Sequence, residues 1–311
     1  MIIVFGSISM DMYLSVDDLN DNRNFTPAVY HDMVPGGKGA AQALAAARSE
    51  AKVALVGKVG DDDFSTTILN RLRREGVMTS GVAKSDQPTG INVIVSDKTG
   101  KIRDFHAAGA NYEASEDQVP EEILGNKAFL LLQTEVRAEV NTALLAKAKA
   151  CGATTMMNLA PAIDLSQKAL NNLDYLILNK PEAEILAQKI GMKEGGDLLK
   201  LAQGLSKQGN LNCIITVGAA GGVACTKDGV SWSVGTLKID EIVDKSGAED
   251  SYCGTLAACL QANMPLPRAM KRASIAASLT CLKKGRLAAI PYLGDIDERI
   301  NDLDDPVQVK T

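Results

Sequence analysis

Histidine and aromatic residues are scarce in this chain: two histidines (His31, His106), one tryptophan, five phenylalanines and six tyrosines in 311 residues. The six cysteines (Cys151, Cys213, Cys225, Cys253, Cys259, Cys281) stand singly inside apolar stretches, with no CxxC pair. Such spacing argues against a structural zinc site and a disulfide framework. Positive charge is short as well: 33 Lys and Arg face 38 Asp and Glu, a formal net charge of -5, so no net basic field gathers nucleic acid or an anionic membrane. The opening MIIVFGSISMDMYLSV lacks a basic region and meets Asp11 too early for a secretory or transmembrane segment. The expectation is a reduced, cytoplasmic compartment and a small-molecule partner, with neither nucleic acid nor membrane.

What is present is the material of a substantial core, 46% hydrophobic and 23% charged. Short apolar runs read as buried strands at 2–8, 52–60, 128–133, 154–160, 175–179 and 213–218. Between them, at 39–50, 66–76, 139–152, 181–191 and 198–209, apolar positions recur three and four apart with Gly near most ends. That alternation predicts an α/β fold, a doubly wound sheet of mainly parallel strands sandwiched by helices. Two stretches break it, about 9–36 and 88–110; in the second, INVIVSD and KIRDFHA flank a KTG turn as in a hairpin. A small antiparallel sheet projecting from the core as a lid is expected there. With no repeat and no Pro-rich linker, residues 1–311 read as a single domain carrying that lid.

The stretch IDEIVDKSGAEDSYCGTLAACLQANM (239–264) reads as a β-type run to Asp244, a turn with Gly247, then an apolar helix from about Asp250. Backbone N–H groups from Gly247 through Ala248 and Glu249 to Asp250 would then face outward, and such a helix start attracts phosphate. A carboxylate beside that anion suits phosphoryl transfer to an alcohol, where it takes the hydroxyl proton. The plainer alternative makes Glu249 and Asp250 first-turn acids that suit the helix dipole. VPGGKGAAQALAAA (34–47) runs paired glycines into an Ala-rich helix, without Walker A spacing. TVGAAGG (216–222) suits a backbone wall beside a nucleotide, and equally a hairpin turn. NKPEAE (179–184) places Asn179 to cap a helix and Glu182 in its first turn, or else to hold Mg²⁺ through water. His106, at the end of the lid hairpin, reads as structural or solvent-facing, and Trp232 receives no role. The acidic stretch DIDERINDLDDP (295–306) reads as a solvated terminal helix and loop.

Taken in order, GSISMD, GGKGAAQ, GDDD (60–63), HAAGAN (106–111), NLAPA (158–162), NKPEAE, TVGAAGG and DKSGAED resemble the ribokinase/PfkB family of carbohydrate kinases, most of all its ribokinase branch, from Ile3 to about Pro291. The resemblance implies a ribokinase-like fold whose lid often forms a dimer clasp, hence a homodimer. It makes Asp250 the catalytic base and Gly247 to Asp250 the anion hole. It assigns Asp11, Gly37, Lys38 and Glu135 to the sugar and Asn179, Glu182, Thr216, Gly218 and Gly221 to ATP and its magnesium. Asp244 and the Gly285 region resemble a monovalent-cation loop, which implies potassium activation, although Ala288 and Ala289 replace the usual Pro and Ser.

Three departures stand out. Ser9 and Ala41 each replace an asparagine that contacts sugar in that branch, and each unpaired polar group on the sugar should cost about 1 to 3 kcal/mol of selectivity. Another furanose or a nucleoside therefore stays open as the acceptor. Glu249 replaces a glycine of the anion hole; two unit charges ~5 Å apart repel by roughly 3 kcal/mol at an effective dielectric near 20, enough to slow transfer about a hundredfold. Glu249 can turn outward, pair with Lys245, or fill the anion hole, and the last case would leave a sugar- or nucleoside-binding protein with impaired or lost kinase activity.

Overall fold

The computed structural model describes residues 1–20, 25–192 and 196–309; residues 21–24 of the first lid segment and 310–311 of the tail lie outside it. Its strands are β1 (Ile2–Phe5), β2 (Ser9–Val16), β3 (Ala28–Gly36), β4 (Val53–Gly60), β5 (Met78–Ser85), β6 (Gly90–Asp97), β7 (Ile102–Ala107), β8 (Phe129–Leu132), β9 (Thr154–Asn158), β10 (Tyr175–Asn179), β11 (Asn212–Thr216), β12 (Gly222–Cys225), β13 (Ser231–Val234) and β14 (Val307–Val309). The helices are α1 (Lys38–Arg48), α2 (Asp63–Arg74), α3 (Ala138–Ala150), α4 (Gln167–Leu170), α5 (Lys180–Lys189), α6 (Leu198–Gly209), α7 (Ala248–Gln261), α8 (Leu266–Thr280), α9 (Arg286–Ala289) and α10 (Leu293–Glu298).

Ten strands form one sheet in the order β14-β13-β12-β11-β10-β9-β8-β1-β4-β5. From β11 to β5 every pairing is parallel, and β12 to β14 close one edge antiparallel. The runs legible as strands are those buried on both faces, as parallel strands between helices must be. Their period of two sends Ile2 and Val4 into the core under α1, α2, α7 and α8, and Ile3 and Phe5 into the core under α3, α5 and α6. The edge strand β5, MTSGVAKS, escaped the sequence reading because half its side chains face solvent and carry no apolar run.

The smaller sheet runs β3-β2-β6-β7. Its outer pairs are antiparallel, while β2 and β6 run parallel, because each continues from a strand of the main sheet, β1 and β5, that points the same way. Two side chains clamp its roots. Asp62 caps α2 through Ser65 N (2.8 Å) and accepts from Thr89 N (2.8 Å) ahead of β6. Asn111 exchanges hydrogen bonds with Ile8 N (2.9 Å) and Ile8 O (3.0 Å) ahead of β2.

One expectation is corrected. Residues 239–244 form no strand: Val243 N and Asp244 N both donate to Cys281 O at the end of α8, and Ile242 and Val243 stay exposed. The acidic stretch 295–306 carries the end of a short helix, α10, and a loop, and the residues beyond it pair as β14 on the edge of the main sheet.

Candidate active site

The parallel strands end along one edge, where loops carry residues out of the sheet. Ser7 follows β1, Glu135 follows β8, and Asn158, Asn179 and Thr216 end β9, β10 and β11. The GGKG turn brings α1 against this edge. A Cβ on Gly36 would stand 2.2 Å from the Asp11 carboxylate, and one on Gly39 2.6 Å from the Gly6 backbone, so neither position admits a larger residue. Gly37, at φ +90, turns the chain into the helix. Glu135 accepts from Lys38 N (3.1 Å) and from the Ser7 hydroxyl, capping α1 with a carboxylate.

At the opposite side α7 opens on Gly247, left-handed at φ 81. The Ala248 N–H is taken by Lys245 O (3.3 Å), while those of Gly247, Glu249 and Asp250 have no partner among the described residues. The outward donors are thus three rather than the four expected. Asp250 is 2% exposed and held by a chain of buried amides: Gln133 Nε2 donates to Gln42 Oε1 (2.8 Å), and Gln42 Nε2 to Asp250 Oδ1 (3.1 Å). Lys38 Nζ lies 4.0 Å from Asp250 and 3.9 Å from Glu249. Burial alone would favour neutral Lys38, but the carboxylates of Asp250 and Glu249 outweigh it and raise its pKa. Burial likewise raises the Asp250 carboxyl, and Arg286, Lys38 and Gln42 overcome that and hold it below the usual aspartate value.

Glu249 turns toward α1. Its Oε1 accepts from Asn158 Nδ2 (2.8 Å) and its Oε2 faces Lys38. Lys245 makes no ion pair among the described residues, so the relief offered by Lys245 is supplied by Lys38 instead.

At the lid end, Asp11 Oδ1 accepts from Asn92 Nδ2 (2.7 Å) and the Ser9 hydroxyl (3.2 Å), and Asp11 Oδ2 from Arg286 (3.1 Å). His106 Nδ1 meets Asn92 Oδ1, so the lid reaches this cluster through β6 and β7. Ala41, fully buried in α1, brings no polar atom to the site. A cleft of about 400 Å³ opens between Lys38, His106, Tyr112, Thr134, Glu135 and Glu182.

Where β10 meets α5, Asn179 and Glu182 form a reciprocal cap: Asn179 accepts from Glu182 N (3.0 Å) and Glu182 from Asn179 N (2.8 Å). Burial and the nearby Glu249 push the Glu182 carboxyl up to about 7. Thr216 donates to Leu178 O (3.3 Å). Gly221 is required by the turn itself, since a Cβ would meet Val234 O at 2.0 Å, whereas Gly218 faces open space. The Asp244 carboxylate accepts from Ser246 N (2.8 Å) and Gly285 N (3.0 Å), joining the two loops.

Sequence reasoning left out Arg286, Gln42, Asn92 and Asn158. Asn158 opens the NLAPA motif and Gln42 lies in GGKGAAQ, so both stood within stretches already noted. Arg286, one of three basic residues in KKGRLAAIP, had only its place after Gly285 to mark it.

The profile of the pfkB family carbohydrate kinases matches residues 1–292. The ribokinase of Schizosaccharomyces pombe is 31% identical over 279 residues, covering 86% of this chain and 86% of that protein. The crystal structure of the ribokinase from Thermotoga maritima superposes with a TM-score of 0.88 at 27% identity, over 97% of this chain and 99% of the other. That of Arabidopsis thaliana ribokinase, complexed with ribose and ATP, gives 0.87 at 22% identity over 96% and 98%. The expected fold is borne out, and with a family match over nearly the whole length the chain belongs to the pfkB family of carbohydrate kinases, phosphotransferases of the ribokinase-like kind.

Proposed function

We propose that this kinase transfers the γ-phosphoryl group of ATP to the primary hydroxyl of a ribose-like furanose or a nucleoside, with Asp250 as general base. The observation that carries the reading is the buried Asp250 carboxylate in the first turn of α7, beside three backbone N–H groups without protein partners and under Lys38. In the transfer, Asp250 takes the hydroxyl proton while the acceptor oxygen bonds to phosphorus and the bond to the ADP oxygen breaks. The helix start and Lys38 face the negative oxygens of the migrating group. Gln42 keeps Asp250 Oδ1 aimed. Magnesium carried with the nucleotide would be held through water by Glu182, whose second oxygen makes no hydrogen bond among the described residues, and it would supply charge neutralisation at the phosphates. A monovalent cation would be held by Asp244, which is tied to Gly285 N, without a side-chain oxygen from Ala288 or Ala289.

On the lid face turned away from Asp11, Met33 and Phe105 stand exposed in one cross-strand row with Met12 and Val93, an apolar patch that suits a homodimer clasped lid to lid. The rival reading, a binding protein with weak transfer, has one observation in its favour: Asp250 is engaged by Arg286 Nε (3.0 Å) and Nη2 (2.7 Å). ADP release over pentoses, hexoses and nucleosides, with and without K⁺, separates the two. Turnover that Asp250→Asn nearly abolishes supports the kinase; no release on any acceptor, with ligand-induced thermal stabilisation retained, supports the binder.

A further inference from the structure

Arg286 is a largely buried cation, its side chain 13% exposed, that holds two acids of the site at once. Gly285, at φ +93 and tied through its N–H to Asp244, starts α9 so that Arg286 turns inward. Its stem packs on the anion-hole turn: a Cβ on Gly247 would stand 2.9 Å from Arg286 Cγ and 3.0 Å from its carbonyl oxygen. The guanidinium then bridges the two ends of the acceptor site, with Nε and Nη2 on Asp250 Oδ2 and Nη1 on Asp11 Oδ2. Asp11 Oδ1 is already filled by Asn92 and Ser9, and Asp11 is wholly buried. The carboxylate best placed to receive a ring hydroxyl far from the reacting one therefore has both oxygens engaged inside the protein.

We propose that Arg286 sets the acceptor specificity of this kinase: by occupying Asp11 and the space between Asp11 and Asp250, it makes the site one for furanoses that lack a ring hydroxyl at the Asp11 end, 2-deoxypentoses rather than pentoses. The proposal rests on the reading above that the acceptor spans Asp11 and Asp250. A ring hydroxyl brought there must share or displace bonds already held by Arg286, Asn92 and Ser9, whereas a methylene need not. Guanidinium geometry matters, since only a planar fork reaches both carboxylates at once.

The test is calorimetric titration of the full chain with D-ribose and with 2-deoxy-D-ribose, without nucleotide, beside ADP-release kinetics on the same two sugars. The wild type should bind 2-deoxyribose about tenfold tighter than ribose, the usual size of one unpaired hydroxyl. Arg286→Met, which keeps the stem against Gly247 and frees Asp11, should reverse the order, and Arg286→Lys should fall between. Because the readout is a ratio of two affinities in one preparation, partial unfolding of a variant does not shift it. A wild type that prefers ribose, a ratio unchanged in Arg286→Met, or no binding of either sugar by any form overturns the proposal. If the ratio moves as stated while no form releases ADP, the kinase reading fails and the specificity assignment stands.

Discussion

Neutralising Glu249 is the perturbation that most directly probes the anion hole proposed at the start of α7. An unpaired carboxylate ~5 Å from the transferring phosphoryl group would oppose it by roughly 3 kcal/mol. Here the acid is not unpaired: its Oε2 lies 3.9 Å from Lys38 Nζ, and its Oε1 accepts from Asn158 at 2.8 Å. Lys38 is shared almost evenly, standing 4.0 Å from Asp250. At the same effective dielectric, attraction across such a gap is about 4 kcal/mol, so Glu249 and Lys38 act on the phosphate together as a dipole, and removing its negative end leaves Lys38 facing the phosphate unopposed. Glu249→Gln removes the charge and keeps the bond from Asn158, and Glu249→Gly removes both. Each should raise kcat, by up to the roughly hundredfold that losing about 3 kcal/mol of repulsion implies. KM for the acceptor should change little, because Glu249 stands on the phosphate side. Steady-state ADP release at saturating ATP reads the effect. Unchanged or lower kcat in both variants would refute the reasoning and make Glu249 a neutral or useful member of the site.

Burial lifts the Asp250 carboxyl and the cations Arg286 and Lys38 more than reverse it, so the native pKa is depressed. A depressed acid stabilises the fold above its unfolded value and loses that contribution as pH falls through the native one; accordingly the acid limb of kcat/KM should lie below the ordinary aspartate range, and Arg286→Met should move it upward. A limb that does not move removes Arg286 from the electrostatics of the base. Glu182 has the opposite sign: raised to about 7 by burial and Glu249, it gives stability that is full below the unfolded carboxylate value and is lost as pH rises through the native one. Glu182→Gln, which can still accept from Asn179 N, should therefore raise Tm more at pH ~8 than at pH ~5 in the metal-free protein, and an equal shift at both values would contradict the assignment. For the lid, light scattering should give a dimer mass that Phe105→Asp with Met33→Asp reduces to the monomer; a wild-type monomer, or a dimer that survives both changes, excludes the clasp.

The parts of this molecule that were legible in its sequence are those whose physics is local. Strands buried on both faces must be apolar throughout, and a helix on a sheet must repeat near 3.6, so the alternation of β1, β4, β8, β9, β10 and β11 with the covering helices could be read directly. Glycines forced by close approach, as at Gly36 and Gly39, likewise mark the chain where they stand. Charge pairing carries no such mark. Glu249 had a lysine four positions away in the sequence, but the turn at Gly247 aims the carboxylate at the start of α1, and Lys38 arrives there from a part of the chain joined only by the α1 and α7 contact. Arg286 is the stronger case, because its partner Asp11 is 275 positions away and on the lid sheet. Along the site the order is Glu249, Lys38, Asp250, Arg286, Asp11, an alternation of sign that each ion pair continues. Such a chain makes the two unusual acids and bases interdependent: Lys38 restrains Glu249 only while Arg286 also holds Asp250, so a change at either end is felt at the base in the middle.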